Sequence, residues 1–140
     1  MSVEINGVAE ITAKLDEIID EKTLYRAIGK ACALVEREAK IRAPKGTGEL
    51  RNSIVSKVEN LGGEMVGMVY TPLEYAPYIE FGTGIFAEEG GRTDVPWAYQ
   101  DDEGNWHSTS GQHPQPFMRP ALYENRKKIN DIVRKELTDA

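Results

Sequence analysis

The stretch IVSKVENLGGEMVGMVYT, Ile54 to Thr71, decides the fold. Val, Ile, Thr and Tyr are concentrated in two short runs, Ile54 to Leu61 and Glu64 to Thr71, as residues that fit a pleated surface should be. Between them stands Gly62-Gly63, and a two-residue hairpin turn needs positive φ at both central positions. The stretch therefore predicts an antiparallel β-hairpin.

The flanks predict helices. Val8, Ile11, Leu15 and Ile18 recur at steps of three and four, which places them on one face of a helix. After a break near Asp20 to Thr23, a second helix is expected from about Leu24 to Ile41, with Leu24, Ile28, Ala31, Leu34, Val35 and Ile41 as its apolar stripe. Thr23 is the expected cap, and Pro44 ends the helix, so the first 41 residues read as helical. Near the other end Pro116 or Pro120 opens a last helix, because the first-turn amides lack intrahelical acceptors anyway. Leu122, Ile129, Ile132, Val133 and Leu137 form its apolar face; Arg126, Lys127, Lys128, Arg134 and Lys135 form a basic one, which reads first as a solvated surface. The expected class is α+β: two N-terminal helices and a long C-terminal helix packed on a small antiparallel sheet. At 140 residues the chain has the size of one ordinary domain, expected to span residues 1–140.

With 40% hydrophobic and 29% charged residues, the chain is neither membrane-like nor compositionally disordered. No run approaches the roughly 18 apolar residues of a membrane span, and no basic leader with an apolar run opens the chain. The single cysteine, Cys32, lies beside the second helical stripe and reads as a buried thiol, and a reducing, cytoplasmic setting is expected. The formal charge of −6 disfavours a protein that works by neutralising phosphates, so no specific nucleic-acid recognition is expected. That charge is uneven. From Glu74 to Gly104 eight acids stand against Arg92, a net −7, whereas Phe117 to the C-terminus holds six bases and four acids.

Motifs that carry chemistry are weak. Pro44-Lys45-Gly46-Thr47-Gly48 suits a loop but not a phosphate cradle, in which Gly-Lys-Ser/Thr would open a helix. His107 and His113 stand six apart, without further donors at zinc-ligand spacing, and Asp101-Asp102-Glu103 lacks the alternating ligands of a calcium loop. No serine sits in a nucleophile elbow. No catalytic, cofactor-binding or metal-ligating residue is assigned. Tyr75 to Phe81 packs three aromatics around Pro77 and predicts a short helix or edge segment. Residues 85–113 are an extended loop or hairpin insertion: Pro96 to Gln100 and Asn105 to Thr109 flank the acidic tip Asp101 to Gly104, and mobility without a partner is expected. Tyr75, Trp97, Tyr99 and Trp106 are large groups in polar surroundings, the composition of interface anchors.

Three patches carry a family resemblance: Ala43-Pro44 with Thr47-Gly48-Glu49-Leu50-Arg51-Asn52-Ser53-Ile54, then Tyr75-Ala76-Pro77-Tyr78-Ile79-Glu80-Phe81-Gly82-Thr83-Gly84, and Gln115-Pro116-Phe117-Met118-Arg119-Pro120-Ala121-Leu122. In this order, over about residues 22 to 137, the chain resembles the tail-completion or head–tail joining proteins of long-tailed bacteriophages, minor tail components to which the lambda Z-type proteins are similar. The resemblance implies a structural, non-enzymatic assembly protein of the neck without cofactor, acting as an oligomeric ring. It implies as partners a tail terminator and a head connector, and a place in the virion after assembly in the host cytoplasm. Interface candidates on this view are Tyr75, Tyr78, Glu80, Phe81, Trp97, Tyr99, Trp106, Phe117 and Arg119. The competing expectation is a small metal-dependent or nucleic-acid-processing enzyme of a mobile element, built on His107, His113 and nearby acids.

Overall fold

A computed structural model describes residues 1–4, 20–92 and 94–138. The expected first helix, on Val8, Ile11, Leu15 and Ile18, lies outside the described residues. The protein has an α+β fold, and its residues group into two compact units, Met1–Pro72 with Phe117–Ala140, and Leu73–Pro116.

The larger unit is built on a three-stranded antiparallel sheet. Strands β2 (Val55–Leu61) and β3 (Glu64–Tyr70) form the predicted hairpin, in continuous register from Val55 opposite Tyr70 to Leu61 opposite Glu64. Gly62 and Gly63 take φ of 63° and 90°, the left-handed pair that such a turn requires. On the other side of β3 lies β1 (Ser2–Glu4), pairing Ser2 with Tyr70 and Glu4 with Met68. This corrects the expectation of helix from the first residues, since three residues carry too little pattern to announce a strand.

Helix α1 (Glu21–Arg42) crosses β2 and β3. Its cap is Asp20, not Thr23: Asp20 Oδ1 accepts the Thr23 amide at 2.7 Å, which puts Thr23 inside the first turn. The end falls where expected, because Ala43, held extended at φ −62° and ψ 137° ahead of Pro44, cannot continue the helix. Leu24, Ala27, Ile28, Ala31, Cys32, Leu34, Val35 and Ala39 are buried, a face too wide for one neighbour. Among the described residues the helix packs chiefly on the sheet and on the C-terminal helices α4 (Met118–Tyr123) and α5 (Arg126–Thr138). Ile41 does not join this face. It lies six residues past Val35, about 240° round the helix, and is 64% exposed.

Against the sheet the approach is close. Gly67 of β3 faces α1 so tightly that a Cβ there would collide with Cys32 Sγ and lie 2.7 Å from Ile28 Cγ2. The short helix α2 (Glu49–Ser53) precedes β2, and Ser53 Oγ bonds Thr71 Oγ1 at 2.7 Å, tying its end to the end of the hairpin. The last helix is not continuous. It breaks at Glu124-Asn125, where buried Asn125 sends its Nδ2 back to the Ala121 carbonyl at 2.9 Å. Pro120 sits in the first turn of α4, within the positions that need no amide. Arg42 reaches Glu124 at 2.7 Å and Glu136 takes both Lys30 and Arg26, so ion pairs join α1 to the C-terminal segment.

The smaller unit holds α3 (Ala76–Phe81) with Pro77 in its first turn, a 3₁₀ turn at Gly84–Phe86, and the hairpin of β4 (Trp97–Gln100) and β5 (Trp106–Thr109). The Thr83 and Ile85 amides donate to the Gln112 and Ser110 carbonyls at 2.9 and 3.1 Å, closing the 85–113 insertion at its base. Here backbone meets backbone: a side chain on Gly84 or Gly111 would strike the Ser110 or Thr83 carbonyl.

Candidate assembly surface

The hairpin tip is built from one carboxylate. Asp101 Oδ1 accepts the amides of Glu103 and Asn105 at 3.0 and 2.8 Å, while Oδ2 meets His107 Nε2 at 2.7 Å. Gln100 Nε2 adds a bond to the Gly104 carbonyl at 2.9 Å. The His107 hydrogen bond, with those amides behind it, holds the Asp101 carboxyl below its ordinary range. His107 also stacks on Tyr99, ring centroids 5.2 Å apart. Of the acidic tip, Asp102 and Glu103 remain exposed.

At the other end of β4, Arg92 lies 4.8 Å over the Trp97 ring and clasps Asp94 with Nε and Nη2 at 2.7 and 2.9 Å. That clasp depresses the Asp94 carboxyl. Trp97 is half-buried beneath it. Trp106, across the hairpin, is 71% exposed. Among the other sequence-derived candidates, Tyr75, Tyr78, Phe81 and Tyr99 keep exposed surface and Arg119 is half-buried. Glu80 and Phe117, also candidates, have no accessible surface and so offer a partner nothing to touch in this conformation. Exposed Ile85, in the smaller unit, and Tyr123, at the end of α4, were not singled out from sequence. Tyr123 sits under Arg126 at 4.8 Å, across the break between α4 and α5.

The two histidines play separate parts, His107 with Asp101 and His113 against the Phe86 ring at 3.9 Å. Among the described residues no group of three or more His, Cys, Asp or Glu is placed to hold a metal ion, and no helix is long and apolar enough to cross a membrane. Burial pushes the Cys32 thiol up to about 12, which keeps it protonated and unreactive. The basic residues Arg126, Lys127, Lys128, Arg134 and Lys135 of α5 are exposed. What these surfaces can do chemically is bury aromatic area and set charge against charge.

The chain is thus an α+β protein with exposed aromatics on a small acidic hairpin. This chain belongs to the family described as "Bacteriophage HK97-gp10, putative tail-component", whose model matches residues 9–82. The match takes in the first of the three family-like patches and the second through Gly82; the third lies beyond it. No curated protein and no solved structure matches the chain.

Proposed function

We propose that this protein is a non-enzymatic subunit of the phage virion that completes the tail and joins it to the head, contacting a tail terminator on one side and a head connector on the other. It works as a ring assembled in the host cytoplasm. Membership of the phage tail-component family carries the reading. It is supported by the hairpin, whose Trp106 and Tyr99 are exposed on a scaffold stiffened by Asp101 and His107. Aromatic side chains of this kind bury much area for little lost rotamer freedom, which suits them to anchor a partner.

Replacing Trp106 and Tyr99 by Ala tests it. The double variant should melt at the wild-type temperature, yet phage lacking the native gene and supplied with this variant should accumulate separate heads and tails. Normal joining by a folded variant would remove the hairpin from the assembly surface.

A further inference from the structure

We propose that β2 is a self-complementary edge, and that two copies of this chain pair through it about a two-fold axis to make one continuous six-stranded sheet. In the strand order β1-β3-β2, β2 is terminal, and among the described residues no strand lies beyond it. It is seven residues long, without proline, and its register with β3 is continuous, so none of the usual bulges or prolines blunts it. A two-residue turn closes on a hydrogen-bonded pair, here Leu61 and Glu64. The alternation then points the backbone groups of Glu59, Lys57 and Val55 toward β3 and those of Asn60, Val58 and Ser56 outward.

Those three outward residues fix the pairing. If Val58 meets Val58 of the second copy, Ser56 and Asn60 exchange bonds across the seam, and every outward amide and carbonyl is used. The side chains agree: Val55 then faces Leu61, and Lys57 faces Glu59, on both sides of the axis. Val55 and Leu61 are 39% and 51% exposed, and this contact would cover them. Lys57 and Glu59 already bond along the strand at 2.9 Å with both side chains open to solvent, ready to form a four-charge ladder. Shifting the axis by one residue puts Lys57 against Lys57 or Glu59 against Glu59. A lysine on an edge ordinarily discourages pairing; beside Glu59 it permits one register and penalises its neighbours.

The helix layer fits as well. Because α1 sits over β2 and β3, its two-fold mate lies two strand spacings away, roughly 10 Å, a normal helix-to-helix distance. Among the described residues the α1 flank on that side is open: Tyr25 is 54% exposed, and Gly29, the residue above Val58, has no side chain to hold the helices apart. Such a contact is closed by its own symmetry and does not propagate, so it is distinct from a head-to-tail ring contact.

Sedimentation of the full chain tests the idea. Wild type should form a concentration-dependent dimer, and Lys57→Glu or Glu59→Lys should each weaken it roughly tenfold or more, since opposed pairs become like-charged. The double exchange Lys57→Glu with Glu59→Lys restores complementarity and should restore the dimer. Mixing the two single variants should give a heterodimer stronger than either homodimer. Circular dichroism melts serve as the control for folding. A wild type that stays monomeric at its highest soluble concentration, or oligomers indifferent to both reversals, would overturn the proposal.

Discussion

Gly67 and Cys32 meet where α1 lies on the sheet, and each constrains the other. A methyl group at position 67 would have to displace Cys32 Sγ and Ile28 Cγ2, both on the fully buried face of the helix. Gly67→Ala should therefore cost about 1–3 kcal/mol, as overpacking does, and lower Tm by several degrees. Adding Cys32→Ala should return part of the loss, which a double-mutant cycle of thermal melts would show. The thiol makes a second prediction. Its ordinary value is 9.0 and burial raises it to about 12, so above pH 9 the unfolded chain releases a proton that the folded chain keeps. Stability contributed by the neutral thiol is complete below pH 9 and is lost as pH rises toward 12. In denaturant titrations the Cys32→Ala variant should lose less stability than wild type between these two pH values, and native Cys32 should resist alkylation until the chain unfolds.

At the scale of elements, the hairpins and α1 were legible because each carries a local signal: two glycines, a strict turn, a helical period closed by proline. The break in the last helix was not, because it depends on Asn125 being buried and bonded to Ala121, and an asparagine in a polar run announces neither. Helix α2 was equally hidden; five residues are too few to show a period. Of the candidate surface, Trp106 and Tyr99 could be read as aromatics stranded in polar sequence, whereas the burial of Glu80 and Phe117 follows from tertiary packing alone. The Asp101 tip also exceeded its sequence reading as an acidic tip, since the Asp101 carboxylate organises the turn. Both tryptophans of the chain lie in this hairpin, so their fluorescence reports on it separately from the helices. Asp101→Ala should shift tryptophan emission and leave the helical dichroism melt in place. In wild type, with the Asp101 carboxyl held low by His107, the bonds are present above the ordinary carboxylate range and lost as pH falls through the lowered value. The emission change should accordingly appear only on strong acidification.

Across the whole molecule the charge is segregated: Glu74 to Gly104 carries −7, and exposed bases line α5. A ring requires two different complementary surfaces on each subunit, because a heterologous contact is what rotation can close. The acidic unit of one copy set against the basic helix of the next supplies such a pair without any new element. Asp94 is held by Arg92 and Asp101 by His107, and Glu80 is buried, so the contact would draw on exposed acids such as Asp102 and Glu103. Exposed charges interact over about 8 Å at physiological salt and less as salt rises, so higher oligomers should dissociate with ionic strength. The two-fold sheet contact, made mainly of backbone bonds and apolar side chains, should persist longer. Light scattering across a salt series should then show rings or their fragments giving way to smaller species. Replacing Lys127, Lys128 and Lys135 by Glu should abolish the higher species at every salt concentration while leaving the dimer. Higher oligomers that ignore both salt and the triple reversal would place the ring contact on apolar surface instead, with Trp106 and Tyr78 as its first suspects.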